Sequence, residues 1–249
     1  MATSALRLAT LPLRAVIDVV LPPRCPGCGE MVDGDDRFCA ACFGQLQGLG
    51  PPQCACCGVT LPHDGDAAAR CGACLADPPA FDRARAPFAY GGPTRQLVLA
   101  LKHGRRLHLA RMMARAMLRV AGDLPDDAVI VPVPSHRWRL WQRGFNQAAS
   151  IARQLSRQSG RPLLVDALER VKPTPSTKGL TRKARLQNVA GAFRVARPEA
   201  IKGRLVVVVD DVMTTGATVA ACARRLRASG ARQVEVLTYA RALREGQGA

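Results

Sequence analysis

A chain of 249 residues with 48% hydrophobic residues can bury one medium core and carry a small appendage, which excludes a largely disordered protein. Aromatic residues make up only 4%, so that core is mainly aliphatic. The formal net charge of +17 calls for anionic partners; nucleic acid, a phosphate-handling site and an arginine-rich compositional bias each account for it.

Residues 1–22 come first. Leu6, Leu13, Ile17 and Val20 fall near helical spacing, which predicts a short amphipathic leader helix stopped by Leu21-Pro22-Pro23. Arg14 and Asp18 interrupt the apolar run and no small-residue cleavage site follows it. The segment therefore reads neither as a secretion signal nor as a membrane span, and the expected location is cytoplasmic.

Residues 23–80 are rich in Cys, Gly, Pro and Asp and poor in hydrophobic periodicity. Such a stretch cannot build its own core and needs another source of stability. Eight of the ten cysteines form four C-x-x-C pairs. Cys25, Cys28, Cys39 and Cys42 make one four-thiolate set; Cys54, Cys57, Cys71 and Cys74 make a second. Two sulfurs of each knuckle can reach one tetrahedral ion, and a following Gly permits the tight turn. Gly58 after Cys57 selects Cys54 and Cys57 and leaves Cys56 spare. The expectation is two structural zinc ions with no open coordination position, which supply folding free energy. Spacing leaves sequential and crossed pairing both open, and disulfides or an iron–sulfur cluster are the alternatives to zinc. Cys222 lies on one helix face with Val219 and Leu226 and reads as a core thiol.

From residue 81 to 249 helices and strands alternate. Helices are predicted over Arg95 to His103, Leu107 to Ala121, and Asn146 to Ser159, the last with an Asn cap and Gly160 beyond its end. A buried strand is predicted over Val129 to Pro134, and another within Leu163 to Val171. Pro173 to Arg185 is a polar, basic stretch that reads as a loop. Leu205 to Val209 suits a central parallel strand, Thr218 to Ser229 a helix closed by Gly230, and Gln233 to Tyr239 a last strand. The alternation predicts an α/β fold with a doubly wound, mainly parallel sheet.

The run Val206 to Thr218 is the most informative. An aliphatic strand ends in Asp210-Asp211, passes through Thr214-Thr215-Gly216 and opens a helix at Ala217-Thr218. Ligands of open α/β sheets bind at that edge. Backbone N–H groups, the Thr214, Thr215 and Thr218 hydroxyls and the helix dipole suit a phosphate, with Gly216 allowing close approach. Carboxylates cannot hold phosphate; they suit the hydroxyls of an attached sugar, or a bridging Mg²⁺. Neither G-x-x-x-x-G-K-[ST] nor G-x-G-x-x-G is present, which excludes nucleotide-triphosphatase and dinucleotide readings. A second basic loop, Ser135 to Gln147, follows the Val131–Pro134 strand. Arg137 and Arg143 are its candidates for pyrophosphate contact. Asn146 and Gln147 read equally as helix caps or ligand contacts, and His136 as a loop residue.

Residues 206–218 resemble the phosphoribosyl-pyrophosphate motif of type I phosphoribosyltransferases at every position. That resemblance implies that Asp210 and Asp211 hold ribose hydroxyls, that Thr214, Thr215, Gly216, Ala217 and Thr218 cradle the 5-phosphate, and that Mg²⁺ accompanies the ligand. Purine-salvage members carry an acid where this chain has Thr214, so a hypoxanthine- or guanine-type activity is not implied. Pro132-Val133-Pro134, Arg143 to Gln147, Lys178, Arg182, Arg185, Asn188, Ala192-Phe193 and the Asp-Asp loop together are similar to the ComF family. The resemblance covers essentially the whole chain and implies a double zinc ribbon ahead of a type I phosphoribosyltransferase domain. It also implies that Lys172 to Arg185, with Lys178 and Arg182, is the loop that covers the substrate. Two functions follow as expectations. One is phosphoribosyl transfer to a nitrogen nucleophile. The other is a non-catalytic competence or DNA-uptake accessory that binds single-stranded DNA or a helicase-like partner, with phosphoribosyl pyrophosphate as effector.

Overall fold

A computed structural model of the chain describes residues 22–62, 66–104, 107–136, 140–141, 144–172, 189 and 191–243. The predicted leader helix at 1–21 lies outside the described residues.

Two short helices, α1 (Ala40–Gly44) and α2 (Gly72–Ala76), belong to the cysteine-rich segment. Each is headed by a cysteine, Cys39 or Cys71, in extended conformation. Beyond them come β1 (Arg83–Arg85), β2 (Phe88–Ala89), α3 (Gly92–Gly104), α4 (Leu109–Ala121), β3 (Val129–Pro132) and α5 (Gln147–Ser159). The chain continues through β4 (Leu168–Arg170), β5 (Phe193–Val195), β6 (Leu205–Met213), α6 (Ala217–Ala228) and β7 (Gln233–Arg241).

The main sheet runs β1-β7-β6-β3, with β2 also on β7, and every pairing in it is parallel. β6 sits in the middle because Val206 to Val209 are apolar on both faces and fully buried. Side-chain alternation splits the core. Val206, Val208, Val234 and Val236 face α6, while Val207, Val209, Leu237 and Tyr239 face α3, α4 and α5. The result is the expected three-layer α/β architecture.

Several boundaries differ from the sequence expectation. The strand predicted to end at Val209 continues to Met213, because β7 runs alongside it as far as the Met213–Arg241 pair. The Val129 strand stops at Pro132, where proline removes a ladder donor. Leu163 forms only an isolated bridge to Ile130, and the regular strand of that segment is the three-residue β4. β4 pairs antiparallel with β5 in a separate two-stranded sheet. Helix α3 begins at Gly92, three residues ahead of Arg95.

The second cysteine-rich ribbon is built into the domain core. Cys54, Cys56, Cys57, Val59 and Cys74 share one buried cluster with β3, β6, β7 and α6. The Ala84 N–H donates to the Cys56 carbonyl at 2.6 Å, and Arg85 Nη1 donates to the Cys54 and Ala55 carbonyls at 3.4 and 3.3 Å. Gly58 makes this approach possible: its φ is +69°, and a β-carbon there would lie 2.5 Å from the Ala84 carbonyl oxygen. Gly58→Ala is therefore expected to cost about 3 kcal/mol, combining left-handed strain with a backbone clash, and urea unfolding measures it.

Among the described residues, no helix is long and apolar enough to cross a membrane.

Candidate phosphate-binding site and zinc centres

Asp210 and Asp211 sit on the carboxyl-terminal part of the central strand. Alternation sends them to opposite faces. Asp211 faces α3, where Lys102 Nζ lies 3.8 Å from its Oδ2. Asp210 faces α6, near enough to the buried Cys222 for its charge to oppose ionisation of that thiol. Burial first, and the neighbouring Asp211 carboxylate second, push the Asp210 carboxyl well above the usual carboxylate range. Each carboxylate also accepts the next backbone N–H, Asp211 N–H at 2.9 Å and Val212 N–H at 2.8 Å. With Lys102 beside Asp211 only, this half-buried pair of carboxylates still favours hydroxyl donors or a further cation at Asp210.

The loop beyond them turns at Gly216, whose φ of +77° and ψ of 0° put it in the left-handed region. Gly216 is also the N-cap of α6, and no side chain caps that helix. Thr215 Oγ1 takes only a long 3.4 Å bond from the Ala217 N–H. The first-turn N–H groups of this twelve-residue helix thus open onto a cavity lined by Val189, Asp210, Val212 and residues 213–219. Uncapped N–H groups at the positive end of a helix form an anion site. The structure brings together Asp210, Thr214, Thr215, Gly216, Ala217 and Thr218 around this cavity. Asp211 adjoins it on the opposite face.

Arg137, Arg143, Lys178 and Arg182, expected at the pyrophosphate and in the covering loop, lie outside the described residues. Asn146 proves to be a cap. Its Oδ1 accepts the Ala149 N–H at 3.4 Å and its Nδ2 donates to the Val133 carbonyl at 3.0 Å. Gln147 is buried, and its Nε2 has no partner among the described residues. Two residues escaped the sequence reading. Lys102 sits in an ordinary amphipathic helix with no local signal for a site. Val189 follows the basic stretch and carries no chemical cue.

The cysteines resolve the pairing question. The sulfurs of Cys25, Cys28, Cys39 and Cys42 all lie within 4.8 Å of one another, as do those of Cys54, Cys57, Cys71 and Cys74. Pairing is sequential, with separate tetrads. The Cys28–Cys39 and Cys57–Cys71 sulfurs are 3.6 and 3.7 Å apart, close to the edge of about 3.8 Å that a zinc tetrahedron with bonds of about 2.3 Å would have. No cysteine is joined in a disulfide among the described residues.

Backbone donors favour thiolates. Cys54 Sγ accepts N–H groups from Cys57 at 3.4 Å and Cys71 at 3.3 Å. Burial opposes ionisation of Cys54, but the N–H groups of Cys57, Cys71 and Cys56 outweigh it and bring the thiol to about 6. Cys25 behaves alike: burial raises it, and the N–H groups of Cys39, Cys28 and Gly27 bring it to about 6. Burial and neighbouring sulfurs push Cys42 and Cys74 up. Four adjacent sulfurs cannot all ionise without a cation between them, so each tetrad fits one structural zinc ion. Cys56 stays outside its tetrad, buried, with Sγ 3.8 Å from the Phe81 carbonyl.

Two family models match successive parts of the chain. A double zinc ribbon domain family matches residues 16–75, and a phosphoribosyl transferase domain family matches residues 140–247. The chain is 33% identical over 229 residues to competence protein F of Haemophilus influenzae, covering 88% of this chain and 97% of that one. It is 36% identical over 198 residues to the DNA utilization protein YhgH of Escherichia coli K12, covering 76% and 84%. Competence protein ComFC of Bacillus subtilis is 31% identical over 102 residues, 41% of this chain and 39% of that one. Among solved structures, the glutamine phosphoribosylpyrophosphate amidotransferase from B. subtilis shares 22% identity at a TM-score of 0.35, covering 54% of this chain and 26% of that one. The sequence relatives and the two family models decide the assignment: the chain belongs to the ComF family, with a double zinc ribbon followed by a phosphoribosyltransferase domain.

Proposed function

We propose that the chain binds Mg²⁺–phosphoribosyl pyrophosphate on the Asp210–Thr218 segment. The observation that carries this reading is the pairing of two adjacent half-buried carboxylates with an uncapped helix N-terminus behind a left-handed glycine. The helix end suits the 5-phosphate, and the carboxylates suit the ribose hydroxyls or the magnesium ion. Arg137 and Arg143 are proposed for the pyrophosphate, and Lys178 and Arg182 for the covering loop. Transfer of the phosphoribosyl group to a nitrogen nucleophile is the reaction this arrangement serves. The chain's share of it is positioning and charge stabilisation.

Calorimetric titration of the full chain tests the binding. Asp211→Ala removes one acceptor of ribose hydroxyls, and is expected to weaken binding by about 10–100-fold. Equal affinity in the variant sinks the assignment. Pyrophosphate release against a panel of bases and amines then separates transfer from binding alone.

A second reading, an accessory that handles single-stranded DNA, has its own support. Arg115 and Arg119 stand one helical turn apart on the exposed side of α4. Beside Arg115 and Arg119 runs a groove lined by Phe38, Phe43 and Phe88, of which Phe43 is 68% exposed. Cations for phosphates next to rings for bases are what a single strand requires. The relatives' names, competence protein F and DNA utilization protein, lean the same way. Two phosphate contacts predict a slope of about −1.4 in log affinity against log salt. Salt-independent binding, or none, removes this reading.

A further inference from the structure

The second zinc ribbon reaches the phosphate loop through one continuous set of contacts. Arg241 closes β7, and its register partner on β6 is Met213, the residue before the loop. Arg241 Nη1 donates to the Cys57 carbonyl at 2.6 Å, and its Nη2 to Cys57 Sγ at 3.5 Å. Met213 Sδ lies 3.9 Å from the same Nη1. On its other side Met213 supports the loop: a β-carbon placed on Gly216 would lie 3.8 Å from Met213 Sδ and 3.9 Å from the Phe81 ring. Phe81 takes the Cys56 thiol on its carbonyl and belongs to the same buried cluster as Cys57, Cys74 and Met213. Ribbon and loop also face each other across a cleft lined by Cys57, Cys74, Phe81, Thr215 and Arg241.

Charge gives these contacts a direction. Four thiolates on one divalent ion leave a zinc centre net negative, and a guanidinium that donates to one of its sulfurs offsets that charge. Arg241 forms no ion pair with a carboxylate among the described residues, so the tetrad is the anionic group it contacts. The first tetrad has different neighbours. Gly27 packs near Pro93, Asp36 pairs with Arg111, and the Leu49 N–H donates to the Pro87 carbonyl at 2.9 Å.

We propose that Arg241 is a positioning residue that couples the second zinc centre to the phosphate loop, so that metal held by Cys54, Cys57, Cys71 and Cys74 and an anion held by the loop reinforce each other. The identity of the anion rests on the phosphoribosyl-pyrophosphate reading above; the link between tetrad and loop does not. Thermodynamic reciprocity requires the effect to run both ways.

Zinc release from the full chain to a colorimetric chelator tests the coupling, with and without Mg²⁺–phosphoribosyl pyrophosphate at a concentration that calorimetry shows to saturate. One of the two zinc ions is expected to leave about tenfold more slowly with ligand present, while the other is unaffected. Cys28→Ser, which disables the first tetrad, should keep the protected ion. In Arg241→Met that ion should leave about tenfold faster without ligand, and ligand should no longer protect it. Arg241→Lys serves should the methionine variant fail to fold; it retains charge but lacks the fork, and should show the same loss of protection in smaller measure. Saturating ligand that changes neither release rate overturns the coupling. Absence of calorimetric binding overturns the ligand reading instead, and unchanged zinc release from the Arg241 variant would then overturn the coupling as well.

Discussion

Cys54→Ser is expected to remove one zinc ion and destabilise the whole chain by about 4 kcal/mol or more, whereas Cys28→Ser removes the other ion at much smaller cost to the sheet. Cys54 is fully buried, and its sulfur holds the Cys57 and Cys71 N–H groups. Its ribbon supplies the Cys56 carbonyl to Ala84 on β1, and carbonyls to Arg85 and Arg241. Collapse of the tetrad leaves those donors unpaired at the sheet edge, each at about 1–3 kcal/mol. Cys28 is exposed, and the first ribbon meets the domain mainly through Asp36–Arg111 and the segment next to β2. Thermal unfolding followed together with zinc stoichiometry checks the contrast. Equal losses of melting temperature in the two variants would show that the second ribbon is no more built into the core than the first.

Asp210→Asn is expected to raise stability while lowering ligand affinity. The Asp210 carboxyl is buried and stands beside the Asp211 carboxylate, so in the folded chain it holds its proton well above the usual carboxylate range. In the unfolded chain it ionises near about 3.9. Between that value and the raised folded value the unfolded state has already lost the proton and the folded state has not. Stability therefore falls as pH rises through this window and levels off above it. Asparagine removes the dependence. At neutral pH the variant should melt about 2–4 °C higher, the shift that about 1 kcal/mol produces in a chain of this size, and its melting temperature should vary less with pH. Mg²⁺–phosphoribosyl pyrophosphate should bind it about 10–100-fold more weakly, since an amide is a poorer acceptor of ribose hydroxyls. A variant that melts lower, with a steeper pH dependence, contradicts the account. Gains of stability at the expense of function are what a site with stored like-charge repulsion yields.

The strand, turn and helix of Val206 to Thr218 and both tetrads were legible because each depends on local order in the chain. Strand, acids, threonines, glycine and helix are contiguous from Val206 to Thr218, so the local geometry follows from that order. The helix of residues 147–159 was equally plain, with Asn146 capping it and Gly160 at φ +73° ending it. What stayed hidden depends on distant partners. β1 and β2 are three and two residues long, too short for a periodic signal, and β1 carries Arg83 and Arg85. They sit half-buried in a sheet because Arg83 donates to the Ala121 carbonyl and Glu235, and Arg85 to ribbon carbonyls. The strand through Asp210 and Asp211 could not be foreseen to reach Met213, since acids disfavour strands and only the neighbouring β7 carries the ladder on. Lys102 and Arg241 gain their significance from residues more than a hundred positions away. Nothing near either marks it.

A crystal structure of the full chain grown with Mg²⁺ and phosphoribosyl pyrophosphate tests the central claim most directly. The account predicts the 5-phosphate against the N–H groups of residues 215–218, with the ribose hydroxyls on Asp210 and Asp211. Ligand bound elsewhere, or an empty Asp210–Thr218 cavity at a concentration that saturates the chain in solution, would contradict it.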